Sequence, residues 1–236
     1  MTSTETLTTT DRKVTGACAA LVGALSLVMV PLYFVYSGPP PADNVLSRNL
    51  VTVAVFTLFV VFAAGLRRLW GGRAGLAGDV ATFAGTAYAV VTLVAASLET
   101  GVALQYPDGS KDPTIDGPLA NGMALLHGPI ARSLVAAFLI ALAVALRRTS
   151  ALPRWVGSGS VVLAVANLAF VPSLYFGMDP AHFYAANGWG STASIGLVNM
   201  LWIGVVGISI LRARGMDASD SEDAELVDTY RADLGR

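Results

Sequence analysis

Six runs of about 20 mainly apolar residues govern what this chain can become, because each is long enough to cross a hydrocarbon layer about 30 Å thick as a helix. They are Val14–Tyr36, Asn49–Leu66, Val80–Ala103, Leu119–Leu146, Trp155–Phe176 and Gly190–Leu211. Backbone polar groups in lipid must be satisfied within the segment, so the expected fold is all-α: a polytopic bundle of six transmembrane helices. The composition agrees, with 54% hydrophobic and 13% charged residues against about 25% charged in a soluble domain. The first run follows Arg12-Lys13 and exceeds the 7–15 residues typical of a secretory leader, so it reads as a retained helix.

Charge sets the expected orientation. Arg12, Lys13, Arg67, Arg68, Arg73, Arg147, Arg148, Arg154, Arg212 and Arg214 all fall on one side. The other side carries Arg48 and Lys111 beside Asp43, Asp108, Asp112, Asp116 and Asp179. Basic loops favour the cytoplasm, which predicts an N-in/C-in protein. Arg in excess of Lys and abundant Ala are typical of a high-GC bacterium, so a bacterial cytoplasmic membrane is the expected location. Trp70 and Trp155 at the inner ends, with Trp189, Tyr33, Tyr36, Tyr106, Tyr175 and Tyr184 at the outer edge, fit interfacial belts. Residues 1–13 are Thr-rich and read as a disordered cytoplasmic start, 14–214 as the membrane domain, and 215–236 as an acidic cytoplasmic tail. In that tail Leu226, Tyr230 and Leu234 recur at helical spacing. The even-numbered segments share basic ends (AAGLRRLW, AVALRRTS, ISILRARG), which inward-running helices acquire without any repeat.

Small residues let helices approach in lipid, and three stripes stand out: Gly16, Ala20 and Ala24; Ala81, Gly85 and Ala89; Gly190 with Ser194. Asn167 and Asn199 are expected to hydrogen-bond between helices as structural polar residues. Pro31, Pro129 and Pro172 remove backbone donors and should bend segments one, four and five. Cys18, the single cysteine, excludes an internal disulfide.

Ionisable residues inside spans mark functional sites by default. Arg132 lies about 22 Å along the helix from Arg147, in the outer third, with His127 about 7 Å farther out. Glu99 lies about 28 Å from the inner end of its segment. An arginine reaching outward by about 6 Å meets that level, which predicts a Glu99–Arg132 ion pair. Tyr88, Gln105, Tyr106 and His182 are further candidates to line an outer polar pocket with Glu99, His127 and Arg132. Two isolated histidines make no metal site, and QYPDGSKDPTIDG lacks the ligand pattern of a calcium loop, so a polar turn is expected there. HExxH, Walker A and GxSxG motifs are absent, no cofactor is implied, and the dispersed arginines offer nothing to nucleic acid.

The run ALRRTSALPRWVGSGSVVLAVANL carries Ser150, Leu152, Pro153, Arg154 and Gly157 in the pattern Ser-x-x-Leu-Pro-Arg-x-x-Gly. It resembles the loop between helices four and five in a family of uncharacterised bacterial six-helix integral membrane proteins, a domain of unknown function. The resemblance implies the six-helix architecture and carries no activity. The expected role is a non-enzymatic bundle that binds a lipid-like or small amphiphilic ligand from the outer side, or assists a membrane protein partner. The alternative is an embedded enzyme acting on a lipid or isoprenoid, with Glu99 as acid or base and Arg132 and His127 stabilising charge. A transporter is less expected, since no inverted repeat is evident.

Overall fold

The computed structural model describes residues 9–36, 39–70 and 72–213, and every described element is helical. The acidic tail and most of the Thr-rich start lie outside the described residues. In chain order the elements are α1 (Thr9–Phe34), α2 (Ala42–Trp70), α3 (Leu76–Gln105) and α4 (Gly117–Leu125). A π-helical turn (Leu126–Ile130) joins α4 to α5 (Ala131–Thr149) as one span. Then come α6 (Arg154–Phe170) with a 3-10 extension (Val171–Phe176), and a second π-helical turn (Gly190–Ser194) leading into α7 (Ile195–Arg212). Among the described residues six helices are therefore long and apolar enough to span a membrane.

Up to α6, successive spans are neighbours in space. α1 packs on α2, α2 on α3, α3 on α5 and α5 on α6, and α7 closes the ring by packing against α1. Within it, Phe56, Phe59 and Phe62 of α2 meet Tyr88 of α3 and Phe138 of α5 in edge-to-face contacts with centroids 5.3–6.4 Å apart. Gly85 makes this possible, because a Cβ there would stand 3.1 Å from Phe138. Ala81, Gly85 and Ala89 are all buried, as their spacing predicts.

The α1–α7 joint is the tightest. A Cβ on Gly23 would lie 2.8 Å from Cα of Gly204, and one on Gly207 would lie 2.5 Å from the Ala20 amide nitrogen. Gly16 faces Leu211 and the Gly207 carbonyl. The stripe thus runs through Gly16, Ala20 and Gly23, while Ala24, expected on it, is exposed. Three-residue steps alternate with four-residue steps along a helix of 3.6 residues per turn, so the contact line drifts away from a strict i+4 row.

The α6–α7 joint is the loosest, bridged by side chains rather than by close backbones. Asn167 and Asn199, both fully buried, exchange two amide hydrogen bonds of 2.9 Å each. Trp202 donates to Ser160 at 3.0 Å and meets Trp155 edge-on at 5.9 Å. This is the interhelical pairing expected of the two asparagines. A double-mutant cycle of Asn167→Leu and Asn199→Leu is expected to return a coupling of about 0.6 to about 1.7 kcal/mol in unfolding measurements.

Two helix boundaries differ from the sequence expectation. α1 begins at Thr9, before Val14, and α2 begins at Ala42, seven residues before Asn49. Asn44 and Arg48 lie outside the run expected from the sequence, yet with Asn49 and Thr52 they form the buried face of α2's first turns. Polar residues can occupy a span where they find partners inside the protein, and here they do.

A candidate polar site at the carboxylate-rich end

The bundle has a basic end, bearing Arg67, Arg68, Arg147, Arg148, Arg154 and Arg212, and an opposite end rich in aspartate. Two arginines are buried toward the latter, and each is held differently.

Arg48 donates from Nη2 to Oε1 of Glu99 at 2.9 Å, with both side chains almost wholly buried. Its guanidinium also lies 4.5 Å from the centroid of the Tyr33 ring, a cation–π contact. Asn49 interacts with Glu99 and donates to the Thr100 hydroxyl at 3.0 Å. The expected Glu99–Arg132 pair is therefore corrected: Glu99 belongs to Arg48. Depth explains it. Arg48 stands about 28 Å from Arg67 along α2, the level at which Glu99 stands on α3, whereas Arg132 begins about 6 Å short of it.

Arg132 does reach outward, but along its own span. Its Nη2 donates to the His127 carbonyl at 2.9 Å and its Nε to the Gly128 carbonyl at 3.4 Å. Between those carbonyls the backbone is irregular, since Gly128 departs from helical geometry at φ −86, ψ −117. Gly128 also lies against the Ala186 carbonyl, where a Cβ would come within 2.6 Å. Arg132 interacts with the Tyr88 phenol, and its guanidinium faces Gly196 on α7. Its Nη1 has no hydrogen-bond partner, and no carboxylate lies within ion-pair distance among the described residues.

Three irregular turns meet at the π turn whose carbonyls hold this arginine. The π turn at Leu126–Ile130 packs against both the 3-10 segment Val171–Phe176 and the second π turn Gly190–Ser194. Ser173, in the 3-10 segment, is fully buried and its hydroxyl has no partner. Elsewhere Ser26, Thr52, Thr92 and Ser160 donate to the carbonyl four residues back, at 2.8–3.0 Å. Ser173 makes no such bond.

The other expected residues disperse. His127 is half-buried with Nδ1 3.4 Å from the Met123 sulfur, and only its carbonyl touches Arg132. Tyr88 is buried beside Arg132. Gln105 is exposed at the end of α3, and Tyr106 is occupied by Lys111, 3.1 Å from its hydroxyl. His182 is exposed and stacked on Phe176 at 6.3 Å. In the loop after α3, Asp112 and Asp116 accept hydrogen bonds from Thr114 and Asp112 amides at 2.8 and 2.7 Å. Asp108 accepts two from Ser110, which hold its carboxyl below the ordinary carboxylate range. Asn187 ties the last loop to this one by donating to the Thr114 carbonyl at 2.9 Å. Among the described residues no three His, Cys, Asp or Glu gather as a metal site.

Residues that the sequence concealed are Arg48, Ser173 and Gly196. The spacing of Asn44, Arg48 and Thr52 at four-residue intervals was the available signal for the first, while a lone serine and a lone glycine offered none. Compared with protein-family models, with curated proteins and with solved structures, the chain matches none.

Proposed function

We propose that this is a multi-pass protein of the bacterial cytoplasmic membrane, with both termini inside the cell, that binds a lipid-like or other small amphiphilic molecule at its outward-facing carboxylate-rich end. It works by binding rather than by chemistry, alone or in aid of a membrane protein partner. The observation that carries this reading is the meeting of three irregular helical turns beneath one end of the bundle, with unmatched polar atoms at the junction. Irregular backbone at membrane depth belongs where protein buries it or where it lines a site, and π-helical turns concentrate at functional positions.

The enzymatic alternative draws less support. Glu99 is engaged by Arg48 at 2.9 Å, and no contact joins it to His127 or Arg132 among the described residues. An acid or base committed to a buried ion pair lacks the freedom that proton transfer asks of it.

The test is mass spectrometry of the detergent-extracted protein after repeated detergent exchange. A stoichiometric amphiphile that survives exchange is the expected result. Protein that emerges free of any retained molecule, and whose unfolding is indifferent to added amphiphiles, refutes the reading.

A further inference from the structure

Resting on that reading, we propose that the bound amphiphile carries a singly charged oxyanion headgroup, a phosphodiester or a carboxylate, received by the Arg132 guanidinium and the Ser173 hydroxyl. The charges at this end of the bundle lead there. Among the described residues, the buried cations are Arg48 and Arg132, and the buried carboxylates are Glu99 and Asp112. Glu99 neutralises Arg48. Asp112 is spent on the amide and hydroxyl of Thr114, at 2.8 and 2.6 Å. Arg132, 2% exposed, is left with one uncompensated positive charge.

A buried cation without an anion is costly, and carbonyl dipoles only partly offset that cost. Both unmatched groups at the junction can donate: Nη1 of Arg132 and the hydroxyl of Ser173. Donors around a single positive charge select a monoanion with several acceptor oxygens, and a guanidinium suits planar carboxylate and phosphate geometry. The two observations are independent, because one concerns charge and the other a serine that forgoes the back-bond its counterparts make.

The fold also supplies a route for the tail. α6 and α7 form the loosest joint of the ring, and both become irregular at this end, in the 3-10 segment and the second π turn. A chain lying along that seam would bring its headgroup to Gly196 and Arg132 without entering from water.

The experiment measures thermal unfolding of the full chain in neutral detergent with added phosphatidylglycerol, diacylglycerol of the same tails, which lacks the phosphodiester, or inorganic phosphate. Phosphatidylglycerol is expected to bind about tenfold more tightly than diacylglycerol, the factor that one charge-assisted hydrogen bond supplies. Ser173→Ala, which deletes a hydroxyl without a hydrogen-bond partner, should fold normally and lose several-fold of that preference. Arg132→Gln should abolish it. Equal binding of the two lipids overturns the headgroup inference and leaves amphiphile binding standing; binding of neither overturns both. Protection by inorganic phosphate equal to that by phosphatidylglycerol overturns the amphiphile as the source of the anion. A preference retained in both variants assigns it to the exposed arginines of the basic end, and overturns the proposed site.

Discussion

Glu99→Leu is expected to cost about 3–5 kcal/mol of stability, the range for a buried ion pair broken on one side. The cost arises from what remains. Arg48 would keep its charge in a protein interior where its Nε already lacks a partner and where only the Tyr33 ring and nearby dipoles face it. The double variant Arg48→Met/Glu99→Leu should recover most of the loss, since apolar side chains of similar volume replace the pair without a stranded charge. Denaturant titration in mixed micelles reads both variants. If the single and double variants were equally unstable, the pair would not be the reason, and loss of packing around α2 and α3 would be.

Gly207→Val should be nearly as damaging for a different reason. The added Cβ would come within 2.6 Å of two backbone atoms, the Ala20 nitrogen and the Gly16 oxygen. Backbone cannot rotate aside as a side chain can, so α1 and α7 must separate, at a cost of about 1–3 kcal/mol or more for overpacking. Loss of the α1–α7 contact is readable as enhanced proteolysis of α1 and a lowered unfolding midpoint. Gly157→Ala provides the contrast. Its Cβ would sit 3.7 Å from the Ala143 carbonyl, an ordinary contact, so the substitution should be neutral or stabilise by up to about 1 kcal/mol.

The six spans were legible because hydrocarbon thickness imposes a length that hydropathy records directly. Partners within the spans were much less legible. Helix depth and the outward reach of an arginine point from Glu99 to Arg132 only while Arg48 counts as a loop residue. Extending α2 back to Ala42 places Arg48 at the right depth and changes the answer. Pro129 and Pro172 announced two of the three irregular turns, each by a missing N–H. The third, at Gly190–Ser194, contains no proline, and nothing in its local composition distinguishes it from an ordinary helix start. Asn167 and Asn199 were easier, because an amide in lipid needs a partner and α6 and α7 offered each other one.

The ring is closed by its first and last members, and this bears on how the chain is made. Gly23 is synthesised about 180 residues before Gly204, the residue it rests against. At about 5–20 residues per second, α1 waits roughly ten to forty seconds for its counterpart. Throughout that interval its glycine face is covered by lipid or by the insertion machinery, and the nascent bundle stands open along one side until α7 has been made.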